Sequence, residues 1–221
     1  MNKYYAKTKK YWDTVFEKQN DYNPNDKLHF NKIENALQWI SRGSSSILDF
    51  GCGYGRITSR CLDYGAKEIL GIDISKTAIK KANSIMRKYN LHKKVKFKTG
   101  DISSLKNIEA NNFDGVILFN IIDNLRPEDS KLLLKYIYNL LKKNGQIIVK
   151  MNPFIPQEQL KSLNMEPVSE NLFQDDKGLY FWNIDNDNLE KILEPYFRIT
   201  KYEEIEFKKQ NMINRLFYLK K

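Results

Sequence analysis

The 221-residue sequence predicts an α/β protein: a mostly parallel, seven-stranded sheet, helices on both faces, and an antiparallel hairpin after the parallel strands. Three observations lead there. Short apolar runs alternate with helix-patterned segments across 47–151, the rhythm of βαβ units joined by right-handed crossovers. A glycine-rich turn, Gly51-Cys-Gly-Tyr-Gly55, separates the first of these strands from the helix after it. Two long strand-like runs follow later, joined by a segment short enough for a hairpin.

The elements follow in order. Tyr4/Tyr5, Tyr11/Trp12 and Val15/Phe16 recur at helical spacing over 4–18. After the loop 21–26, Asn31 and Glu34 stand as a capping box at the start of a helix that stops at Gly43. A strand over 47–50 leads through the glycine turn to a helix over 56–64, closed by Gly65. The strand 68–72 runs into Asp73. Ser75 then caps a helix with Ala78, Ile79, Ala82, Ile85, Met86 and Tyr89 on one face and lysines on the other. Strands over 95–99 and 113–119 end at Gly100-Asp101 and Asn120. A helix over 128–143 stops at Asn144-Gly145, and the strand 146–151 follows. The rhythm breaks in 153–185, which holds Pro153, Pro156 and one strand-like run, 179–183. A helix over 187–196 precedes strands 197–207 and 212–219, with the turn at 208–211.

Composition narrows the function classes. With 41% apolar and 13% aromatic residues the chain can bury a core, and at this length about 70% of its unfolded surface is expected to be buried. Its longest apolar runs fall far short of the roughly 18 residues a membrane span needs, and residues 1–12 lack an apolar signal region. The expectation is a cytoplasmic protein with no membrane association. Cys52 and Cys61 are too far apart to bridge if Cys61 lies two turns into a helix. Two histidines, His29 and His92, and no C-x-x-C leave no zinc spacing, so no metal is expected. No G-x-S-x-G elbow is present. Nine basic residues between Ile74 and Gly100, with no acidic residue among them, make up most of the +10 net charge. A solvated helix face is the favoured account and a phosphate-binding patch the alternative.

The glycine turn carries the chemistry. Glycines at 51, 53 and 55 let the backbone turn tightly and let a ligand come close. Asp73 ends the next strand, where a carboxylate can accept from both hydroxyls of a ribose. A dinucleotide turn needs glycine at position 56, but Arg56 stands there. Asp49, just before the turn, disfavours a pyrophosphate and suits an ammonium. The pattern therefore prefers a cationic, phosphate-free nucleoside ligand.

The run Asp49-x-Gly51-x-Gly53-x-Gly55 resembles the first motif of the class I S-adenosylmethionine-dependent methyltransferases, and the likeness extends over 46–152. The resemblance implies a Rossmann-like fold, S-adenosylmethionine as cofactor and S-adenosylhomocysteine as product. It implies that Gly51, Cys52 and Gly53 line the methionine part with Asp49 near its ammonium, that Asp73 holds the ribose, and that Ile74 packs on adenine. Asp101 and Ile102 meet the adenine edge, and Asn120 faces both cofactor and acceptor. Lys143-Asn-Gly145 matches the family's turn before the fifth strand. Each polar residue has a structural alternative: Asp49 as a helix cap, Asp101 as a turn aspartate, Asn120 as a strand-end residue bonding its own backbone. One domain is expected over 1–221: N-terminal helices forming a lid (1–45), a cofactor-binding core (46–152), a substrate-side insertion (153–185) and a closing helix and hairpin (186–221).

Methyl transfer from a sulfonium is an in-line displacement in which positioning supplies roughly 7–11 kcal/mol, so a general base is optional and no catalytic residue is assigned. Tyr11, Trp12, Tyr180, Phe181 and Trp182 are the candidate walls of an acceptor pocket. A small-molecule acceptor is favoured, since no RNA-binding domain is appended. Nucleic acid is second. The (N/D)-P-P-(Y/F) motif of base-amine methylation is not matched by Asn120-Ile-Ile-Asp123, and Asn152-Pro-Phe154 follows the fifth strand instead. A protein N-terminal amine is third. Residues 5–12, 55–58 and 148–152 are similar to stretches of the protein N-terminal methyltransferases, which implies that Arg56 holds the cofactor carboxylate and Asn152 meets the substrate amine. Met151 stands where that family has an acid. A catalytically silent, cofactor-binding partner subunit is the remaining alternative. The oligomeric state is not specified by the sequence.

Overall fold

The computed structural model describes residues 3–160, 164–207 and 212–221. A single 3-10 turn, Lys3–Tyr5, leads into α1 (Ala6–Lys18), and α2 (Asn31–Ser41) precedes the sheet. The alternating region runs β1 (Ser46–Phe50), α3 (Arg56–Asp63), β2 (Glu68–Asp73), α4 (Lys76–Lys88), β3 (Val95–Thr99), β4 (Phe113–Phe119), α5 (Pro127–Leu140) and β5 (Leu141–Met151). A short helix, α6 (Gln157–Leu160), and three strands, β6 (Met165–Ser169), β7 (Leu172–Asp175) and β8 (Tyr180–Trp182), follow. The remaining elements are α7 (Asn186–Leu193), β9 (Arg198–Phe207) and β10 (Met212–Lys220).

The main sheet has seven strands in the order β3-β2-β1-β4-β5-β10-β9. The first five are parallel, and β10 lies antiparallel to both β5 and β9. This is the expected Rossmann-like architecture with its antiparallel ending. The expected turn at 208–211 lies outside the described residues. Strand order reverses between β1 and β4, so a crevice opens beyond their carboxyl ends, where doubly wound sheets bind ligands.

Period-two alternation divides the core. Leu48, Val116, Leu118, Ile147, Val149 and Phe217 pack on the face covered by α5 and α7. Ile47, Ile117, Ile148 and Leu216 face the opposite side, against Ile33, Leu37 and Ile40 of α2 and Cys61 and Leu62 of α3. α4 packs on β2 and β3 and carries α1 across its outer side.

Three expectations are corrected. Asn31 and Glu34 form no capping box: Phe30 is the N-cap residue, without a side-chain cap bond. The Glu34 carboxylate is instead drawn into a buried cluster with Arg60 (Nε–Oε1 3.1 Å), the Tyr64 hydroxyl and the Leu28 amide. The fifth helix ends at Leu140, and β5 starts at Leu141, because Leu141 already pairs with Phe113 before a register shift. Finally, 153–185 holds a three-stranded antiparallel sheet, β6-β7-β8, rather than one strand. Its strands are only three to five residues long, and the positive-φ Asn171 makes the turn between two of them.

Candidate functional site

A cavity of about 600 Å³ lies beyond the carboxyl ends of β1, β2 and β4, within the range of small-molecule sites. One end is built by the strand termini: Gly51 and Gly53 after β1, Asp73 and Ile74 at the end of β2, and Asp101 and Ile102 after β3. The other end is lined by Asn120, Ile121 and Asn124 after β4, Asn152 after β5, and Leu132 and Tyr136 of α5. Leu179 and Tyr180 come from the small sheet, and Tyr5, Thr8, Trp12 and Phe16 come from the N-terminal helical segment. Spacing of three to four residues puts those four on one face of it.

The glycine turn is shaped by what crowds it. Gly51 has φ +82°, and a Cβ there would fall 2.1 Å from the Ile121 side chain. Gly53, at φ +53°, would press a Cβ against the Phe16 ring at 3.0 Å. The turn is tied to β2 by the Gly51 and Cys52 amides, which donate to the Ile72 carbonyl at 2.7 and 3.1 Å. Asp73 completes it: Oδ2 accepts from the Gly53 amide and Oδ1 from the Ser75 amide, both at 2.8 Å. Burial raises the Asp73 pKa against those two amides. Each oxygen keeps a further lone pair for a ligand hydroxyl. Asp101 accepts from the Ser103 amide and hydroxyl at 2.9 and 2.6 Å, so it caps the 3-10 turn Ile102–Asn107 while lining the cavity.

Six residues expected at the site do not line the cavity. Asp49 alternates away from Phe50, onto the α3 side of the sheet, where it is 2% exposed and Oδ2 accepts from the Thr58 hydroxyl at 2.6 Å. It caps no helix amide. Burial, with the Asp73 charge adding to it, raises the Asp49 pKa to about 7. Cys52 is a buried free thiol tucked beneath the turn against Gly71. Arg56, the first residue of α3, places its guanidinium over the Tyr22 ring at 5.8 Å. Tyr11 is one helical step off the cavity face of α1, edge-on to Trp12 with the Lys177 ammonium over its ring. Trp182 lies two residues beyond Tyr180 along β8, paired with Leu172, and Phe181 points to the other side of that strand.

The sequence reading missed a charged layer behind the wall that carries Asn120 and Asn152. Lys150 of β5 is 6% exposed and donates from Nζ to Asn120 Oδ1 at 2.7 Å; burial lowers its pKa to about 8. Asp123 is wholly buried, and its Oδ2 accepts from the Asn152 amide at 2.6 Å. Arg215 of β10 donates to the Asn152 carbonyl from Nε at 3.0 Å, and from Nη1 to the Ile184 carbonyl at 2.8 Å. The signal was a lone lysine inside the apolar run Ile147-Ile-Val-Lys-Met151. Asn120 itself sits at φ +54°, a left-handed conformation rare outside glycine.

The comparisons with known proteins agree with this geometry. A family profile described as a methyltransferase domain matches residues 41–196. The chain is 29% identical to a carboxy-S-adenosyl-L-methionine synthase of Shewanella piezotolerans over 135 residues, 60% of this chain and 54% of that protein. It thus spans about half the length of that relative. It is 24% identical to the human EEF1A lysine methyltransferase 2 over 179 residues, 71% of this chain and 72% of that one. Among solved structures, the PH0226 protein of Pyrococcus horikoshii shares the fold with a TM-score of 0.73 at 22% identity, covering 94% of this chain and 98% of that one.

Proposed function

Because the chain belongs to the class I S-adenosylmethionine-dependent methyltransferase family, we propose that it transfers a methyl group from S-adenosylmethionine to a small-molecule acceptor held in the same cavity. The observation that carries this is the division of the cavity into two unlike ends. The strand-terminus end suits a nucleoside with an amino-acid tail: Gly51 and Gly53 leave room for close approach, Asp73 offers lone pairs to a ribose diol, and Ile74, Asp101 and Ile102 form a slot for a base. Asp49 and Cys52 then support the turn from behind, and Arg56 flanks it. The cofactor supplies a sulfonium-activated methyl group, and the enzyme's part is to hold the acceptor in line with it and keep water out.

Residues 46–152 then form the cofactor-binding core and 186–221 the closing helix and hairpin of one domain. Residues 1–45 act as a lid through Trp12 and Phe16, and 153–185 form the acceptor side through Leu179 and Tyr180. The aromatic rings at the acceptor end, Tyr136 and Tyr180, support a small molecule over a polymer. A protein acceptor is the second reading, favoured by the similarity to a protein-lysine methyltransferase. RNA is the alternative that the basic segment 74–100 supports, since Lys76, Lys80 and Lys88 belong to the surface of α4.

Incubation with methyl-labelled S-adenosylmethionine and a lysate split into small-molecule, RNA and protein fractions tests the reading. Label in the small-molecule fraction is expected. Label confined to RNA or protein overturns it in favour of that acceptor. Tight S-adenosylhomocysteine binding without label anywhere points to a catalytically silent partner subunit.

A further inference from the structure

We propose that Lys150 is a positioning residue that sets Asn120 as a fixed hydrogen-bond donor to the acceptor, and that the acceptor presents an anionic oxygen to it. The proposal rests on the methyltransferase reading above and deepens it to an acceptor class.

Both oxygens of Asn120 accept a bond within the protein, Oδ1 from behind the wall and the main-chain oxygen from Asn124 on it. The Lys150 ammonium donates to Oδ1 at 2.7 Å, and the Asn124 carboxamide donates to the main-chain oxygen at 2.6 Å. The Asn120 amide is also used, donating to the Lys150 carbonyl at 2.7 Å. A lysine has no acceptor lone pair when charged, so its contact fixes which end of the carboxamide is oxygen. What Asn120 has free to donate to the cavity it lines is its Nδ2 group, while Oδ1 keeps only its second lone pair.

The charges behind the wall point the same way. Lys150 and Arg215 bring two cations to this layer, and Asp123 brings one carboxylate. Burial acts on all three, raising the Asp123 pKa and lowering those of Lys150 and Arg215. Two cations against one carboxylate leave the layer net positive, in a low-dielectric place where a field reaches further than in water. Three carboxylates, of Asp73, Asp101 and Asp129, also line the cavity, the last accepting from the Tyr5 hydroxyl at 2.6 Å, whereas Asn120 is the wall residue bonded from behind by a cation. An ammonium at Asn120 would meet N–H donors and a positive field; a carboxylate or phenolate would be held by both. The oxyanion gives the electron pair of the new O–CH₃ bond, the S–CH₃ pair leaves on sulfur, and no proton has to move. No general base is needed for such an acceptor.

The test uses the full chain saturated with S-adenosylhomocysteine, with benzoate and benzylamine as probes of opposite charge. Calorimetry should give benzoate an affinity about tenfold or more above that of benzylamine. In Lys150→Met, which keeps the aliphatic stem, benzoate binding should fall about tenfold while S-adenosylhomocysteine binding stays within about threefold. A merely structural role would move both ligands together. In the wild type, the Asn120 carboxamide ¹⁵N–¹H signals should shift on adding benzoate and not on adding benzylamine, which keeps the test open if the variant fails to fold. Benzylamine binding as well as benzoate, benzoate failing to bind, or an unchanged benzoate affinity in Lys150→Met overturns the proposal. Failure of S-adenosylhomocysteine itself to bind overturns the cofactor reading instead.

Discussion

The Asp13 carboxylate on α1 accepts a hydrogen bond from the Ser75 hydroxyl at 2.7 Å and from the Thr77 amide at 3.1 Å, so one side chain fastens the N-terminal helix to the head of α4. Two further bonds act with it: Lys81 donates to the Phe16 carbonyl at 3.0 Å, and the Thr8 hydroxyl donates to the Gly178 carbonyl at 2.6 Å. Together they hold Trp12 and Phe16 over the cavity.

Asp13→Ala is expected to cost about 1–2 kcal/mol, the lower part of the range for charge-assisted bonds because the carboxylate is partly solvated. Burial opposes ionisation, but bonds from Lys9, Ser75 and Thr77 outweigh it and lower the Asp13 pKa from 3.8 to about 2. A depressed folded-state pKa gives stability that is present above the unfolded value and lost as pH falls through the folded one. Urea unfolding should therefore separate wild type and variant at pH 6 and bring them together near pH 2; a constant gap assigns the effect to packing.

Asp49 has the opposite sign. Its pKa rises from 3.8 to about 7 in the folded chain, chiefly through burial. The folded state keeps the proton over that window while the unfolded state has lost it, so stability falls as pH rises from about 4 to about 7. Asp49→Asn retains an acceptor for the Thr58 hydroxyl and removes the titration. The variant should match wild type near pH 4 and exceed it at pH 8, as read by thermal unfolding. Equal melting temperatures at both values would remove Asp49 from the pH response.

Asp73→Ala removes two backbone contacts and the ribose partner at once. At about 1.5–3 kcal/mol for each charge-assisted bond to a ligand, S-adenosylmethionine binding should weaken about a hundredfold or more. Calorimetry on the folded variant showing less than a threefold change would end the ribose assignment. Releasing the Gly53 and Ser75 amides should also lower stability.

The buried pair of Glu34 and Arg60 gives a packing test. Arg60 is 1% exposed and is held by Glu34 and by Asp63 at 2.9 Å. Glu34→Leu leaves the guanidinium only the half-exposed Asp63 carboxylate and should cost up to about 3–5 kcal/mol in denaturant unfolding. Adding Arg60→Met to that variant should recover part of the loss, because no uncompensated charge is then left. A double variant no more stable than Glu34→Leu would contradict this.

The sheet was legible because its signals are local. Apolar runs, glycine stops and the Ser75 cap each fix one element, and Ser75 does accept from the Ala78 amide. The placement of Asp73 and Gly53 at the cavity was legible for the same reason: a strand end and a turn announce themselves in sequence. Asp49 was not, since which face it takes depends on strand alternation relative to helices that the sequence does not place. Arg56 and Tyr11 are engaged by Tyr22 and Lys177, whose proximity is tertiary. Lys150 and Arg215 act through contacts 30 and 63 residues away, to Asn120 and Asn152, and no local pattern marks those. The β6-β7-β8 sheet was missed because its strands are too short to show a period.

The strand order places β10 between β5 and β9. A ribosome therefore releases β9 before the strand that connects it to everything else. Until β10 emerges, β9 has no neighbour in the main sheet, and its ten residues offer unpaired amides and carbonyls to any other strand.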